Sequence, residues 1–124
     1  DSDEQMLCYY DARIGVSIYG GMFNPITYEP FCTYYSFYAF GQLYALGNQV
    51  HCTVDADNVY ALAASNENER AVVISNISGE DREFTTNLPA DMKVYAIDED
   101  NFCVETELSP SSFTIKNNQV FLIK

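Results

Sequence analysis

A chain of 124 residues with 48% hydrophobic side chains has room for one domain, buries roughly two-thirds of its unfolded surface on folding, and is too apolar to be wholly disordered. Six Lys and Arg against eighteen Asp and Glu leave a net charge of −12, and the cations (Arg13, Arg70, Arg82, Lys93, Lys116, Lys124) are scattered, which excludes the concentrated basic surface that nucleic-acid phosphates require. No apolar run approaches the ~18 residues of a membrane helix, so neither nucleic acid nor membrane is expected as a partner.

The opening Asp-Ser-Asp-Glu-Gln has no initiator Met, basic segment or apolar stretch, so the sequence reads as a fragment of something longer. Leu7-Cys8-Tyr9-Tyr10 predicts a short buried strand, and Gly15, Gly20, Gly21, Asn24 and Pro25 mark an irregular loop after it. From Pro30 to Leu46 the apolar positions Phe31, Tyr34 or Tyr35, Tyr38, Leu43 and Leu46 recur at helical spacing, with Pro30 suited to the first turn and Gly47 to the position just past the end. Phe37, Phe40 and Tyr44 widen the arc beyond one stripe, predicting contacts on two sides. Gly41 inside this helix costs ~1 kcal/mol relative to Ala, a cost that makes sense where another backbone approaches.

After Asn48 the apolar period becomes two. Strands are expected at 49–54, 58–65, 70–77, 82–87, 93–98, 102–107, 112–116 and 119–123, separated by Asp, Asn, Glu, Ser and Gly turns that hold most of the negative charge. Many short strands at this spacing predict a mainly β fold, an antiparallel β-sandwich of about eight strands with one N-terminal helix. The segment Phe113 to Leu122, with Asn117-Asn118 at its centre, reads as the clearest hairpin. Residues 1–47 and 48–124 also differ in composition: twelve of the eighteen aromatic residues lie in the first 46. The ring-rich opening is therefore expected to pack against something that residues 48–124 do not supply alone.

Cys8, Cys32, Cys52 and Cys103 are widely spaced and form no C-x-x-C pair, and His51 is the single histidine, so no metal site and no cofactor are expected. Their apolar neighbours suggest buried reduced thiols, which lean towards a reducing, cytoplasmic compartment and leave secretion open. His51 and Cys52 make a poor nucleophile pair, because neighbours on a strand point to opposite faces. The acid clusters Glu67/Glu69, Glu80/Asp81/Glu83 and Asp98/Glu99/Asp100 lack Ca²⁺-loop spacing and read as solvated turns. Asn76-Ile77-Ser78 is formally a glycosylation sequon at a strand end, too short to carry weight.

A wider resemblance lies in the succession Met6-Leu-Cys-Tyr9-Tyr10-Asp11-Ala12-Arg13, Gly21-Met-Phe23-Asn24-Pro25, Tyr28-Glu29-Pro30 and Tyr34-Tyr35-Ser-Phe37-Tyr-Ala-Phe40-Gly-Gln-Leu43-Tyr44-Ala-Leu46-Gly47. It resembles the eighth strand and eighth helix that end the (β/α)₈ barrel of family 39-like clan A glycoside hydrolases, the β-xylosidase and iduronidase relatives. Val59 to Asn66 and Ala71 to Asn76 resemble central strands of the β-sandwich beside that barrel. The resemblance implies that residues 1–47 are the remnant of the last barrel strand, loop and helix, and that 48–124 form a noncatalytic accessory sandwich bracing the barrel of a bacterial hydrolase. Such enzymes take their two catalytic carboxylates from barrel strands four and seven, both upstream of Asp1, so no catalytic residue is expected here. Asp11 and Arg13 would lie near the parent's cleft, where a structural role is preferred to substrate contact. Tyr34, Tyr35, Phe37, Tyr38, Phe40 and Tyr44 are the expected barrel interface, whose exposure in the isolated chain would favour self-association. The alternative is a carbohydrate-binding module using the Tyr-rich surface, although Trp, the best stacking ring, is absent.

Overall fold

The computed structural model describes residues 21–124; Leu7 to Tyr10, Cys8, Asp11 and Arg13 lie outside the described residues. A single helix, α1 (Cys32–Leu46), is followed by β1 (Asn48–Val50), β2 (Val59–Ser65), β3 (Arg70–Asn76), β4 (Arg82–Thr85), β5 (Val94–Ile97), β6 (Phe102–Glu105), β7 (Ser112–Ile115) and β8 (Gln119–Ile123). All strand pairs are antiparallel, in one six-stranded sheet of order β1-β2-β3-β8-β5-β6 and one two-stranded sheet of β4 and β7. The fold is thus the expected mainly β arrangement with one helix, and the sheets do not close into a barrel.

Alternation along each strand sorts the apolar side chains into two clusters on opposite faces of the large sheet. On one face Val59, Ile74, Val94, Phe121 and Ile123 meet Phe113 and Ile115 from the small sheet. On the other, Ala64, Ala71, Ile97 and Leu122 meet Ala39 and Leu43 from α1. Covered on both sides, β8 is the centre of the molecule, and Phe121, Leu122 and Ile123 are all almost wholly buried.

That position of β8 overturns the predicted hairpin. Asn118 does take the left-handed conformation (φ 61°) expected of it, and Gln119 N–H donates to Lys116 O at 3.2 Å, so the turn is where the sequence puts it. The strands it joins belong to different sheets: β7 pairs with β4, and β8 with β3 and β5. The physical reason is legible in burial. Only alternate residues of β7 are buried, as suits an outer layer, whereas β8 is apolar on consecutive positions and must lie between two layers.

Asn76 locks the layers together. It is fully buried at the end of β3; its Nδ2 donates to Glu80 O (2.8 Å) and Ile115 O (3.0 Å), and its Oδ1 accepts Ser78 N–H (3.0 Å). The sequon asparagine is therefore a structural amide with no free face for a glycan. Asn76→Ala strands two carbonyls and one N–H, and is expected to cost about 2–4 kcal/mol, read as a lower urea midpoint at unchanged m-value.

Candidate functional site

Helix α1 departs from its predicted register in an informative way. It begins at Cys32 with Phe31 as an N-cap that supplies no side-chain hydrogen bond, so Pro30 precedes the first turn rather than occupying it and instead bridges to Phe23. Gly47 ends it as expected, with φ 86° and its N–H donating to Tyr44 O. The inward stripe is Cys32, Tyr35, Ala39, Leu43 and Leu46; Phe31 and Tyr38, assigned to that stripe from spacing, are 37% and 40% exposed. Rings occur on almost every side of the helix, so periodicity alone does not pick the buried face. Small side chains do: Ala39 meets Ala64 and Ala71 of the sheet, allowing close approach where a ring would hold the elements apart.

The expected interface residues divide accordingly. Tyr35 packs against the chain's own sheet, its ring stacked on Phe102 at 6.0 Å, and Tyr34 is half-buried with its ring 5.5 Å from Phe23. Phe37 is half-buried. Tyr38, Phe40 and Tyr44 lie outside the buried stripe; Phe40 is 48% and Tyr44 83% exposed. Beside them an open groove of about 410 Å³ is lined by Phe40, Leu43, Tyr44, Gln49 and Leu62. A Cβ added to Gly41 would meet no atom within 4 Å, so the backbone expected to approach there is not supplied by the described residues. The whole helix, CTYYSFYAFGQLYAL, carries no Asp, Glu, Lys or Arg, in a chain of net charge −12. Sequence reading found these rings and missed Ala39, whose signal is its smallness among rings.

No protein-family model matches this chain, and no curated protein matches it. Solved structures do. A glycoside hydrolase family 30 subfamily 8 xylanase from Clostridium acetobutylicum superposes with a TM-score of 0.65 at 19% identity over 83% of this chain and 30% of its own. A family 30 endoxylanase from Clostridium papyrosolvens superposes with a TM-score of 0.61 at 17% identity over 82% of this chain and 29% of its own. These likenesses establish a shared fold, and the chain spans less than a third of the length of either xylanase.

The other residues singled out by the sequence scatter. β1 ends at Val50, so His51 and Cys52 follow the paired strand rather than sit on it; His51 is exposed and Cys52 half-buried, continuing the alternation the sequence predicts. Cys32, Cys52 and Cys103 are free thiols, each half-buried. Cys103 is the extra residue of a bulge between β5 and β6, with φ 59°, and burial raises its pKa. Among the described residues no three His, Cys, Asp or Glu side chains converge to hold a metal ion.

The acid-rich turn after β5 is built rather than merely solvated. Asp98 Oδ1 accepts the N–H groups of Asp100 (3.0 Å) and Asn101 (2.8 Å) and the Asn101 side-chain amide, while Oδ2 accepts Gln119 Nε2. Burial pushes the carboxyl's proton affinity up, but the donors from Asn101, Gln119 and the turn backbone together outweigh it and hold its pKa below the usual carboxylate value. A folded pKa below the unfolded one gives stability that is present above the unfolded value and lost as pH falls through the folded value. The urea midpoint is therefore expected to fall as pH is lowered through the carboxylate range, and Asp98→Asn to reduce that slope.

Proposed function

We propose that this chain is the C-terminal accessory part of a glycoside hydrolase, related to the family 39-like enzymes that its opening residues resemble, and that it braces the catalytic barrel through the outer face of α1. The observation that carries the reading is the uncharged helix. Its inner stripe rests on the sheet, while Tyr38, Phe40 and Tyr44 face outward without a charge among them. An uncharged helix with aromatic rings on both its inner and outer sides suits a place between two bodies. The region shared with this chain makes up 30% and 29% of the solved xylanases, which supports the presence of a second body in the parent protein.

The reading assigns no chemistry to the chain itself. Asp98 and Glu105 are both held below the usual carboxylate range, Glu105 by its hydrogen bond from Lys93, the wrong direction for an acid that must donate a proton near neutral pH. Asp81 Oδ1 accepts Asn117 N–H, and Glu80 pairs with Arg82, so these turn carboxylates are engaged in holding the fold.

The 83% exposure of Tyr44 beside a groove favours one second reading, a sugar-stacking surface. The two separate by experiment. Gly41→Ala is expected to stabilise the isolated chain by ~1 kcal/mol through helix propensity, yet to lower the melting temperature of the parent protein, where a neighbouring backbone meets the added methyl. Phe40→Glu with Tyr44→Glu should leave the isolated chain within about 0.5 kcal/mol of wild type and destabilise the parent. Saturable quenching of tyrosine fluorescence by xylotetraose, removed by Tyr44→Ala, would favour the sugar surface instead. Turnover of aryl β-xylosides by this chain, abolished by one carboxylate substitution, would overturn the noncatalytic assignment.

A further inference from the structure

Between Met22 and Phe31 the chain makes a hairpin closed by its own hydrogen bonds. Phe31 N–H donates to Met22 O (2.8 Å), Asn24 N–H to Glu29 O (2.8 Å) and Tyr28 N–H to Asn24 O (2.9 Å), and Phe23 bridges Pro30. The Asn24 side-chain Oδ1 accepts the N–H groups of Ile26 (2.8 Å) and Thr27 (3.1 Å), and Thr27 Oγ1 donates to Glu29 Oε2 (2.8 Å). The base is anchored, Met22 being buried and the Phe23 ring lying 5.5 Å from that of Tyr34. The tip is not: residues 25–29 are all exposed, Ile26 at 84% and Tyr28 at 63%.

Tyr28 sits in this tip at φ 63°, in the left-handed region that a bulky side chain enters only at a cost. The turn explains the conformation and not the residue. Asn58 and Asn118 supply the same left-handed position in two other turns of this chain (φ 58° and 61°), and asparagine does so with less strain. Packing does not explain the residue either, since no other ring among the described residues stacks on Tyr28. A hydrogen-bonded hairpin thus holds an aromatic ring out in solvent against the preference of its own backbone. Strain kept in place by a rigid surround is a mark of residues positioned for a ligand.

We propose that Tyr28 is a substrate-contact residue of the parent hydrolase, its ring forming a platform for one neutral sugar unit of the glycoside chain. The chemistry of the tip selects that class. A tyrosine ring offers a flat apolar face to the C–H side of a sugar, Ile26 adds apolar surface to the same tip, and the Thr27 hydroxyl and Glu29 carboxylate beside it accept hydrogen bonds from sugar hydroxyls. Glu29, in a chain of net charge −12, disfavours an acidic sugar. The inference rests on the proposed parent for the place of the hairpin. It leads into α1 from the expected last barrel strand, and strand-to-helix loops form the face of a (β/α)₈ barrel on which substrate binds.

The test pairs urea unfolding of this chain with steady-state kinetics of the complete parent protein on xylotetraose, cellotetraose and mannotetraose. Tyr28→Asn puts at position 28 the residue used at 58 and 118, and is expected to raise the urea midpoint of this chain at unchanged m-value. In the parent the same substitution should raise KM about fivefold or more on the tetrasaccharide hydrolysed best, the loss falling on KM rather than kcat, as removal of a uniform binding contact requires. Tyr28→Phe restores the ring and should recover most of that loss. A residue that merely holds the hairpin cannot give a more stable chain together with weaker substrate binding. Wild-type KM in Tyr28→Asn, an equal rise in Tyr28→Phe, or a lowered urea midpoint in Tyr28→Asn would each overturn the proposal. An active parent indifferent to Tyr28 sinks this inference alone, because the brace is read separately from the melting temperature of the parent carrying Phe40→Glu and Tyr44→Glu. A parent that hydrolyses none of the tetrasaccharides sinks the hydrolase reading and this inference with it.

Discussion

A fifteen-residue helix without a single formal charge, in a chain that carries −12, is the constraint on which the arrangement turns. Such a segment cannot be left in water on both sides without exposing an apolar area of the kind that marks interaction sites. One side is met by the sheet, through Ala39 and Leu43 against Ala64, Ala71 and Leu122. Contact with the helix is in turn what makes β8 apolar on successive residues, because the central strand must satisfy α1 on one face and the small sheet on the other. The other side of the helix keeps Tyr38, Phe40 and Tyr44 exposed. Charge has been displaced to the turns, where carboxylates such as Asp98 and Asp81 accept backbone N–H groups and so contribute to the fold while keeping it soluble.

The same logic explains where polar groups are admitted into the interior. Asn76 and Gln119 are the buried polar residues among those described, and each joins segments that the sheet ladder leaves unjoined. Asn76 holds the turn before β4 to the end of β7, and Gln119 holds the turn after β5 to the turn before β8. Fully bonded amides of this kind fix register between layers whose apolar surfaces alone would slide.

Much of this was legible in the residues. The change from helical to two-residue period after Asn48 located the helix and, within a few residues, every described strand, because turn chemistry punctuates each one. What the pattern could not reveal was layer membership. Residues 112–123 look like a hairpin until the two-sided burial of β8 separates it from β7. Residues 52–57 alternate in burial like a strand but pair with none of the described strands. The buried face of α1 was also hidden, since rings at 31, 34, 35, 37, 38, 40 and 44 drown the periodic signal and the contact is decided by an alanine. Of the candidate site, the rings at 38, 40 and 44 were identified from composition, whereas Tyr35 serves the chain's own core and Asp11 and Arg13 lie outside the described residues.

The account's central claim is that the outer face of α1 is covered in the parent protein. Hydroxyl-radical footprinting of Tyr38, Phe40 and Tyr44, in this chain alone and within the complete parent protein, measures that cover directly. The account predicts fast labelling of all three rings in the isolated chain and labelling slowed about tenfold or more in the parent, as burial of exposed side chains requires. Equal labelling of Phe40 and Tyr44 in both contexts would contradict it.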